Sequence, residues 1–316
     1  MIHRHGGTHA EPCAAGLLWL LLPILVLLPL PSFAEEPIAV VTTIPVLKDL
    51  VQQVGASHVK VSSLLTGLEN EHSYSPKPSD LIAVRKARLL VEIGAGLEVW
   101  VGSLLRNAGN RELTVLTVSQ DIPLLDADPS HPAEKAAESH RHHAGNPHIW
   151  LDPENVGIML SHITNALSRL DPAHAEDYAR QASEYRRTLT QVTAECLEQL
   201  RPYSDRRLIA HHPAWPYFAR RFRLEIVAEI QSQPGAEPSP RHLRALIERI
   251  RRDHIKVIVS EPQLNQKLPH LLAEETGAHL VVLTPLPGGV PGTDTYLDML
   301  RYNVLQLARA FERPAA

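Results

Sequence analysis

Cysteine is nearly absent: the 316 residues hold two, Cys13 and Cys196. Cys13 precedes an apolar run, residues 17–30, so it is not the lipid-bearing cysteine of a bacterial lipoprotein, which would follow such a run. That run is broken only by Pro23 and Pro29. A short polar start with Arg4 comes before it, and Ser32-Phe33-Ala34 offers small residues at the two positions a signal peptidase reads. Residues 1–34 are therefore expected to be a cleaved signal peptide. The two prolines and the small-residue exit argue against a retained membrane anchor. Once the leader is removed, Cys196 stands alone and no intramolecular disulfide is available. The expected mature protein is exported, soluble and unstapled.

Other absences narrow the function. A net charge of −4 gives no sign of nucleic-acid binding. No GxxxxGK[ST] phosphate loop occurs, and no HExxH zinc-hydrolase motif. Nothing in the sequence points to an oligomer, and a monomer is expected. Against these lacks stands an excess of histidine, 18 residues, with His3, His5 and His9 inside the first ten.

Eight short β-branched runs punctuate the chain after the leader: residues 38–44, 59–65, 89–93, 113–118, 208–211, 224–230, 257–260 and 280–283. Runs this short and this apolar are what strands of a parallel sheet look like when both faces are covered. Helical patterns lie between most of them, at 45–54, 79–87, 97–108 and 240–253. Alternation of this kind predicts doubly wound α/β architecture. Four strands fall before residue 120 and four after residue 207, which makes two α/β lobes of similar size.

Between them the pattern is purely helical. One helix is expected over 154–170, and Asp171-Pro172 restarts a second that runs to about Leu200. Tyr178, Ala182, Tyr185, Leu189, Val192, Cys196 and Leu200, at spacings of three and four, give this second helix one apolar face. At about 1.5 Å per residue it would span roughly 40 Å, the size of a domain. It contains no glycine, and we read it as a rigid strut and not a hinge. The expected organisation is an N-terminal lobe over 35–170, a linking helix over 171–201 and a C-terminal lobe over 202–316. A final amphipathic helix is expected over 294–311. The irregular loop 119–146 carries His131, His140, His142 and His143. His140, His142 and His143 could serve as an auxiliary metal-capture cluster, or the loop could be solvated and without consequence.

Ligands of open parallel sheets bind beyond the carboxyl ends of strands. Glu71-His72 follow the second strand, His148 the fourth, His211-His212 end the fifth and Thr284-Pro285 the eighth. Four segments thus converge on one edge, two from each lobe, where a cleft between lobes would lie. Several imidazoles meeting in a cleft suit a transition metal, and nitrogen-rich ligation suits zinc. His148 sits just before Asp152-Pro153, a strong helix start, which would mount the imidazole rigidly. Asp152 is read chiefly as that helix cap, with a supporting role toward a ligand as the alternative.

The segments EHSYSPKPSD (71–80), NPHIWLDPENV (146–156), HHPAWPYFARRFRL (211–224), SEPQLNQKLPHLLAEETGAHLVVLTPL (260–286) and TYLDMLRYN (295–303) resemble the periplasmic metal-binding components of zinc and manganese ABC importers, the zinc-uptake type of the TroA-like fold family. The resemblance runs over nearly all of the chain after the leader. It implies two α/β lobes joined by a long helix, with a metal held in the cleft. It implies a periplasmic solute-binding protein, not an enzyme, that delivers its ion to a permease driven by a cytoplasmic ATPase, with a periplasmic zinc chaperone as a further candidate partner. Matched residue by residue, it makes His72, His148 and His212 the ligands of Zn2+. His212, and not His211, is in register with the family's histidine ahead of Trp215, Tyr217 and Phe218.

Two positions depart from the family. Many members carry aspartate where this chain has Thr284, and many carry aspartate after the third histidine, where this chain has Pro213. Three neutral imidazoles then remain, with the fourth place open to water or to Glu71, and Thr284 nearby. Manganese favours carboxylate and water oxygens, so the set tilts to zinc. Manganese or iron is the alternative cargo. A zinc hydrolase would also use three histidines with an open position, but no obvious general base stands by except Glu71. A surface adhesin is disfavoured by the lack of a lipidation cysteine and of an anchor.

Overall fold

The computed structural model describes residues 1–3, 6–7, 36–125, 145–231 and 237–313. Residues 36–316 make up one structural unit. Residues 4–5 and 8–34 of the proposed leader and the histidines at 131, 140, 142 and 143 lie outside the described residues.

Eight strands form two separate four-stranded sheets. The first comprises β1 (Ile38–Thr42), β2 (Val59–Ser63), β3 (Leu89–Glu92) and β4 (Thr114–Thr117), in the order β2-β1-β3-β4. The second comprises β5 (Arg207–Ala210), β6 (Glu225–Glu229), β7 (Val257–Ser260) and β8 (His279–Val282), in the order β6-β5-β7-β8. Every pairing is parallel, as the apolar runs predict. All eight expected strands form: β1, β2, β3, β4 and β6 are one or two residues shorter than expected, β5 and β8 are shifted by one residue, and β7 has the expected bounds.

The first sheet is accompanied by α1 (Pro45–Gly55), α2 (Pro78–Lys86) and α3 (Val101–Ala108); α4 (Pro153–Leu170) and α5 (Ala175–Leu200) come next in the chain. The second sheet carries α6 (Pro216–Phe222), α7 (Pro240–Asp253) and α8 (Lys267–Thr276), and α9 (Tyr296–Glu312) closes the chain. Proline stands at the start of α1, α2, α4, α6 and α7, where its missing N–H costs nothing. Helices α6 and α8 have no counterpart in the sequence reading. The first has only seven residues, and the second carries Pro269 in its opening turn, which masks it although proline is tolerated there.

The linking helix proper is α5, with 26 residues, about 39 Å at 1.5 Å per residue. It begins after a separate 3-10 turn, Pro172–His174, and so is shorter than the sequence suggests. All seven residues of its expected apolar face are buried, each large aliphatic among them contributing about 1.5–3 kcal/mol. That face packs along α4 and α1 on one side and α9 on the other, so the strut lies on the molecule along its length. Cys196, on this face, is buried, and burial pushes its thiol up to about 11.

One main core runs through both sheets and the helices between them, with Trp150, Tyr178, Tyr217 and Tyr296 fully buried in it. A smaller core lies on the other face of the second sheet. There Ile209 and Ile258 meet Leu246, Ile250 and Leu272, while their strand neighbours Leu208, Ala210, Val257 and Val259 point to the main core. That is the two-residue alternation of a sheet covered on both faces.

Candidate metal centre

Glu71 and His72 lie in a turn between β2 and α2. The Asn70 side chain accepts from the His72 amide at 2.9 Å, and the Ser73 amide donates to the Asn70 carbonyl at 3.3 Å. The Trp100 indole donates to the Glu71 carbonyl at 3.0 Å, and Tyr74 stacks edge-on against that indole. Because the backbone bends here, two adjacent side chains serve one place. An extended segment would send them to opposite sides.

His148 precedes a 3-10 turn, Ile149–Leu151, that leads into α4. Asn146 holds it: one side-chain oxygen accepts from the His148 amide at 3.0 Å and faces Nδ1 at 2.9 Å. An oxygen at Nδ1 places the proton there and leaves the Nε2 lone pair free. Asn146 is itself tied to the second lobe, donating to the Pro213 carbonyl at 2.6 Å and accepting at its own carbonyl from Tyr217 at 2.8 Å. The Trp150 indole donates to the Pro285 carbonyl at 2.8 Å. His212 follows β5, and its Nδ1 stands 2.8 Å from the Glu261 carboxylate, which Trp215 also holds at 2.9 Å. Here too the support leaves Nε2 as the outward donor.

These segments converge. Donor atoms of Glu71, His72, His148 and His212 all lie within 4.8 Å of one another. Nε2 of His72 and Nε2 of His148 are 3.1 Å apart, and Glu71 Oε1 is 3.7 Å from His148 Nε2. Glu71, His148 and His212 are buried; His72 is half-buried. Among the described residues the Glu71 Oε1 atom is one of a few buried polar atoms with no hydrogen-bond partner. An unpaired buried carboxylate oxygen is costly unless a cation completes it.

The protonation states follow from burial and neighbours. Burial pushes the Glu71 carboxyl up to about 7. Burial, with the charge of His212, brings His72 down to about 4, and burial takes His148 well below the ordinary range. For His212 burial also acts downward, but the Glu261 carboxylate more than offsets it and the net shift is upward. At neutral pH, then, two of the three imidazoles present lone pairs with no proton to displace.

The other residues singled out from sequence lie elsewhere. His211 is buried outside the group, with Nδ1 3.4 Å from the Ser260 hydroxyl. The Thr284 hydroxyl is turned to its own loop, donating to the Leu286 carbonyl at 2.7 Å, while its amide donates to Asn303. Asp152 caps α4 by accepting from the Glu154 amide at 3.0 Å and also binds Arg220 and Arg221 of α6. Sequence reasoning assigned no part to Asn146, Glu261 or the three tryptophans. Glu261 carried a usable signal, since it directly follows β7 at the carboxyl edge of its sheet.

Residues 40–310 match the family model described as ZnuA, zinc-uptake complex component A periplasmic. The high-affinity zinc uptake system protein ZnuA of Brucella abortus is 28% identical over 302 residues, covering 85% of this chain and 90% of that protein. The iron-binding protein YfeA of Yersinia pestis is 27% identical over 287 residues, covering 89% and 88%. Among solved structures, a ZnuA deletion mutant with zinc bound superposes with a TM-score of 0.76 at 28% identity, over 88% of this chain and all of that one.

Proposed function

The chain belongs to the zinc-uptake complex component A family, a metal-binding transport component and not an enzyme, and from that premise we propose that it captures zinc in the cleft and delivers it to the permease of an ABC importer. Glu71, His72, His148 and His212 are the ligands in this reading. The observation that carries it is the unpaired, buried Oε1 of Glu71 facing three imidazoles. It turns the fourth place, which the sequence left between water, Glu71 and the neighbourhood of Thr284, toward Glu71.

Three neutral nitrogens and one carboxylate oxygen suit zinc in tetrahedral geometry. Manganese prefers a set richer in oxygen. Burial supports the same reading: Glu71 and Glu261 place two carboxyl groups in a buried cleft, where a divalent cation would stabilise their ionised forms. Because donors come from both lobes, the ion would hold the lobes together until docking on the permease releases it. Export to the periplasm through cleavage of residues 1–34 belongs to this proposal, as does a zinc chaperone as a supplier.

Iron or manganese is the second reading, favoured by the similarity to an iron-binding relative. Equilibration of the metal-free protein with equal zinc, manganese and ferrous ions, followed by metal analysis, separates the two. Zinc is expected to occupy the site almost alone. A preference for manganese or iron overturns the zinc assignment.

A further inference from the structure

A second meeting of imidazoles and carboxylates lies away from the cleft. His58 ends a 3-10 turn, Ala56–His58, that leads into the amino-terminal end of β2, whereas Glu71 and His72 lie beyond its carboxyl end. Asp171, His174 and Asp177 recur every third residue in the stretch DPAHAED, through the corner that joins α4 to α5. Spacing of three puts such residues on one face. The corner brings His58 against that face: its ring stacks on His174 with centroids 3.8 Å apart and planes 26° from parallel. His174 Nδ1 is 2.7 Å from Asp171 Oδ2, the Tyr178 hydroxyl donates to the same oxygen at 2.5 Å, and His58 Nε2 is 3.6 Å from Asp177 Oδ2. One donor atom from each of His58, Asp171 and His174 lies within 4.8 Å of the others.

We propose that this corner is a second metal site, taking a zinc-class divalent cation on His58, His174 and Asp171, with Asp177 or water in the fourth place. The donor chemistry is imidazole-rich with carboxylate, which suits zinc, copper or nickel over magnesium or calcium. Two carboxylates beside two imidazoles give the cluster a negative charge that attracts a cation. Burial pushes the Asp171 carboxyl up, but its bonds to Tyr178 and His174 more than offset this and keep it ionised. In the bound form the cation takes the place of the proton between His174 Nδ1 and Asp171. Tyr178 then keeps hold of the carboxylate, the part that supporting groups play around zinc.

Zinc bonds of about 2.0–2.2 Å put tetrahedral donors roughly 3.3–3.5 Å apart, so the 2.7 Å contact of His174 Nδ1 with Asp171 Oδ2 must open while His58 turns in toward the pair. The side chains of His58 and His174 are 27% and 29% exposed, which leaves them room to turn. The same exposure makes this the weaker of the two sites. Asp177 is further shared with Arg180, which limits it to the fourth place. A cation here would pin the start of α5 to the turn between α1 and β2. The proposal does not depend on the cleft reading.

Zinc titration of the metal-free protein by calorimetry tests it, in a background where His131, His140, His142 and His143 are all glutamine so that the loop takes no part. The His58→Gln/His174→Gln pair should lose one equivalent, the weaker by at least tenfold, and keep the tight one. His148→Ala should do the reverse, so the two sites fail independently. The proposal is overturned if the pair binds as many equivalents as its background, or if the background binds only the tight one. Circular dichroism of the metal-free forms checks folding. Should the pair unfold, His58→Gln alone, which leaves the bonds among Asp171, His174 and Tyr178 in place, must weaken the second equivalent tenfold or the idea is wrong.

Discussion

In the first lobe the strand ends deliver three of the four candidate donors, Glu71 and His72 after β2 and His148 after β4; in the second, the same strand order delivers only His212, after β5. The environments differ as much as the numbers. Burial strips protons from His72 and His148, whereas Glu261 stands behind His212 and pulls its proton affinity up. One topology thus yields a lobe that presents a nearly complete donor set with two proton-free imidazoles and a lobe that adds one imidazole backed by charge. On this reading the first lobe gives affinity and the second gives closure.

The largest test of that asymmetry is to remove one imidazole from each side. His148→Ala takes away a fully buried, proton-free donor from the richer lobe. It should lower zinc affinity by well over the ~10–100-fold that loss of a supporting group costs. His212→Ala leaves three donors in the first lobe, and its loss should be smaller. Competition with a chelator measures both. An equal or larger loss for His212→Ala would reverse the roles of the lobes.

Proton competition gives the next effect. Glu71 sits at about 7, raised by burial, so below that pH a cation must displace its proton. His212, raised by Glu261, adds a second proton as pH falls. Both signs agree: affinity is full above about pH 7 and should fall roughly tenfold or more by about pH 5.5, since each displaced proton costs up to tenfold per pH unit. His72 and His148 contribute nothing across this window, being neutral throughout it. Glu71→Gln should weaken binding at pH 7.5 and flatten the slope, leaving the His212 part. A pH-independent affinity in the native protein would remove both groups from the site.

Much of this architecture is legible in the sequence because it depends on local pattern. All eight strands, the helical insert and the gathering of residues 71–72, 148, 211–212 and 284–285 at one edge follow from apolar runs, proline starts and the rule that strand ends make sites, while the choice of His212 over His211 comes from the family resemblance. What stays hidden depends on tertiary contact. That Asn146 fixes the tautomer of His148 requires knowing that its oxygen faces both the amide and Nδ1. That Thr284 spends its hydroxyl on Leu286 depends on how the loop at 285–293 folds back. Asp152 illustrates both sides: its cap is readable from Asp-Pro, but its arginine partners sit 68 and 69 residues away.

Glu261 tests whether the second lobe acts through charge. Glu261→Gln keeps a hydrogen-bond acceptor for His212 Nδ1 and Trp215 but removes the negative charge. Zinc affinity should fall by ~10–100-fold, as for other carboxylates behind a ligating histidine. The pH midpoint contributed by His212 should also move down, since the carboxylate is what raises it. An unchanged titration of His212, followed by NMR in the metal-free protein, would mean the pair is held by packing and not by charge.

The smallest effect on the metal separates chemistry from lobe fastening. Asp152 is fully buried at the start of α4, on the first-lobe side, and is gripped by Arg220 and Arg221 of α6 on the second-lobe side, at 3.0 and 2.6 Å. Asp152→Asn preserves the helix cap, since asparagine caps as well as aspartate, and deletes only the charge between lobes. Breaking a buried pair costs about 3–5 kcal/mol, but Arg221 is 26% and Arg220 49% exposed and water screens them. A loss of about 1–3 kcal/mol in a urea titration is therefore expected. None of Glu71, His72, His148 and His212 hydrogen-bonds to this carboxylate, so zinc affinity should change by less than about threefold. If Asp152→Asn instead weakened zinc as much as Glu261→Gln, the fastening of the lobes and the hold on the ion would be a single process, and the division between a lobe for affinity and a lobe for closure would fail.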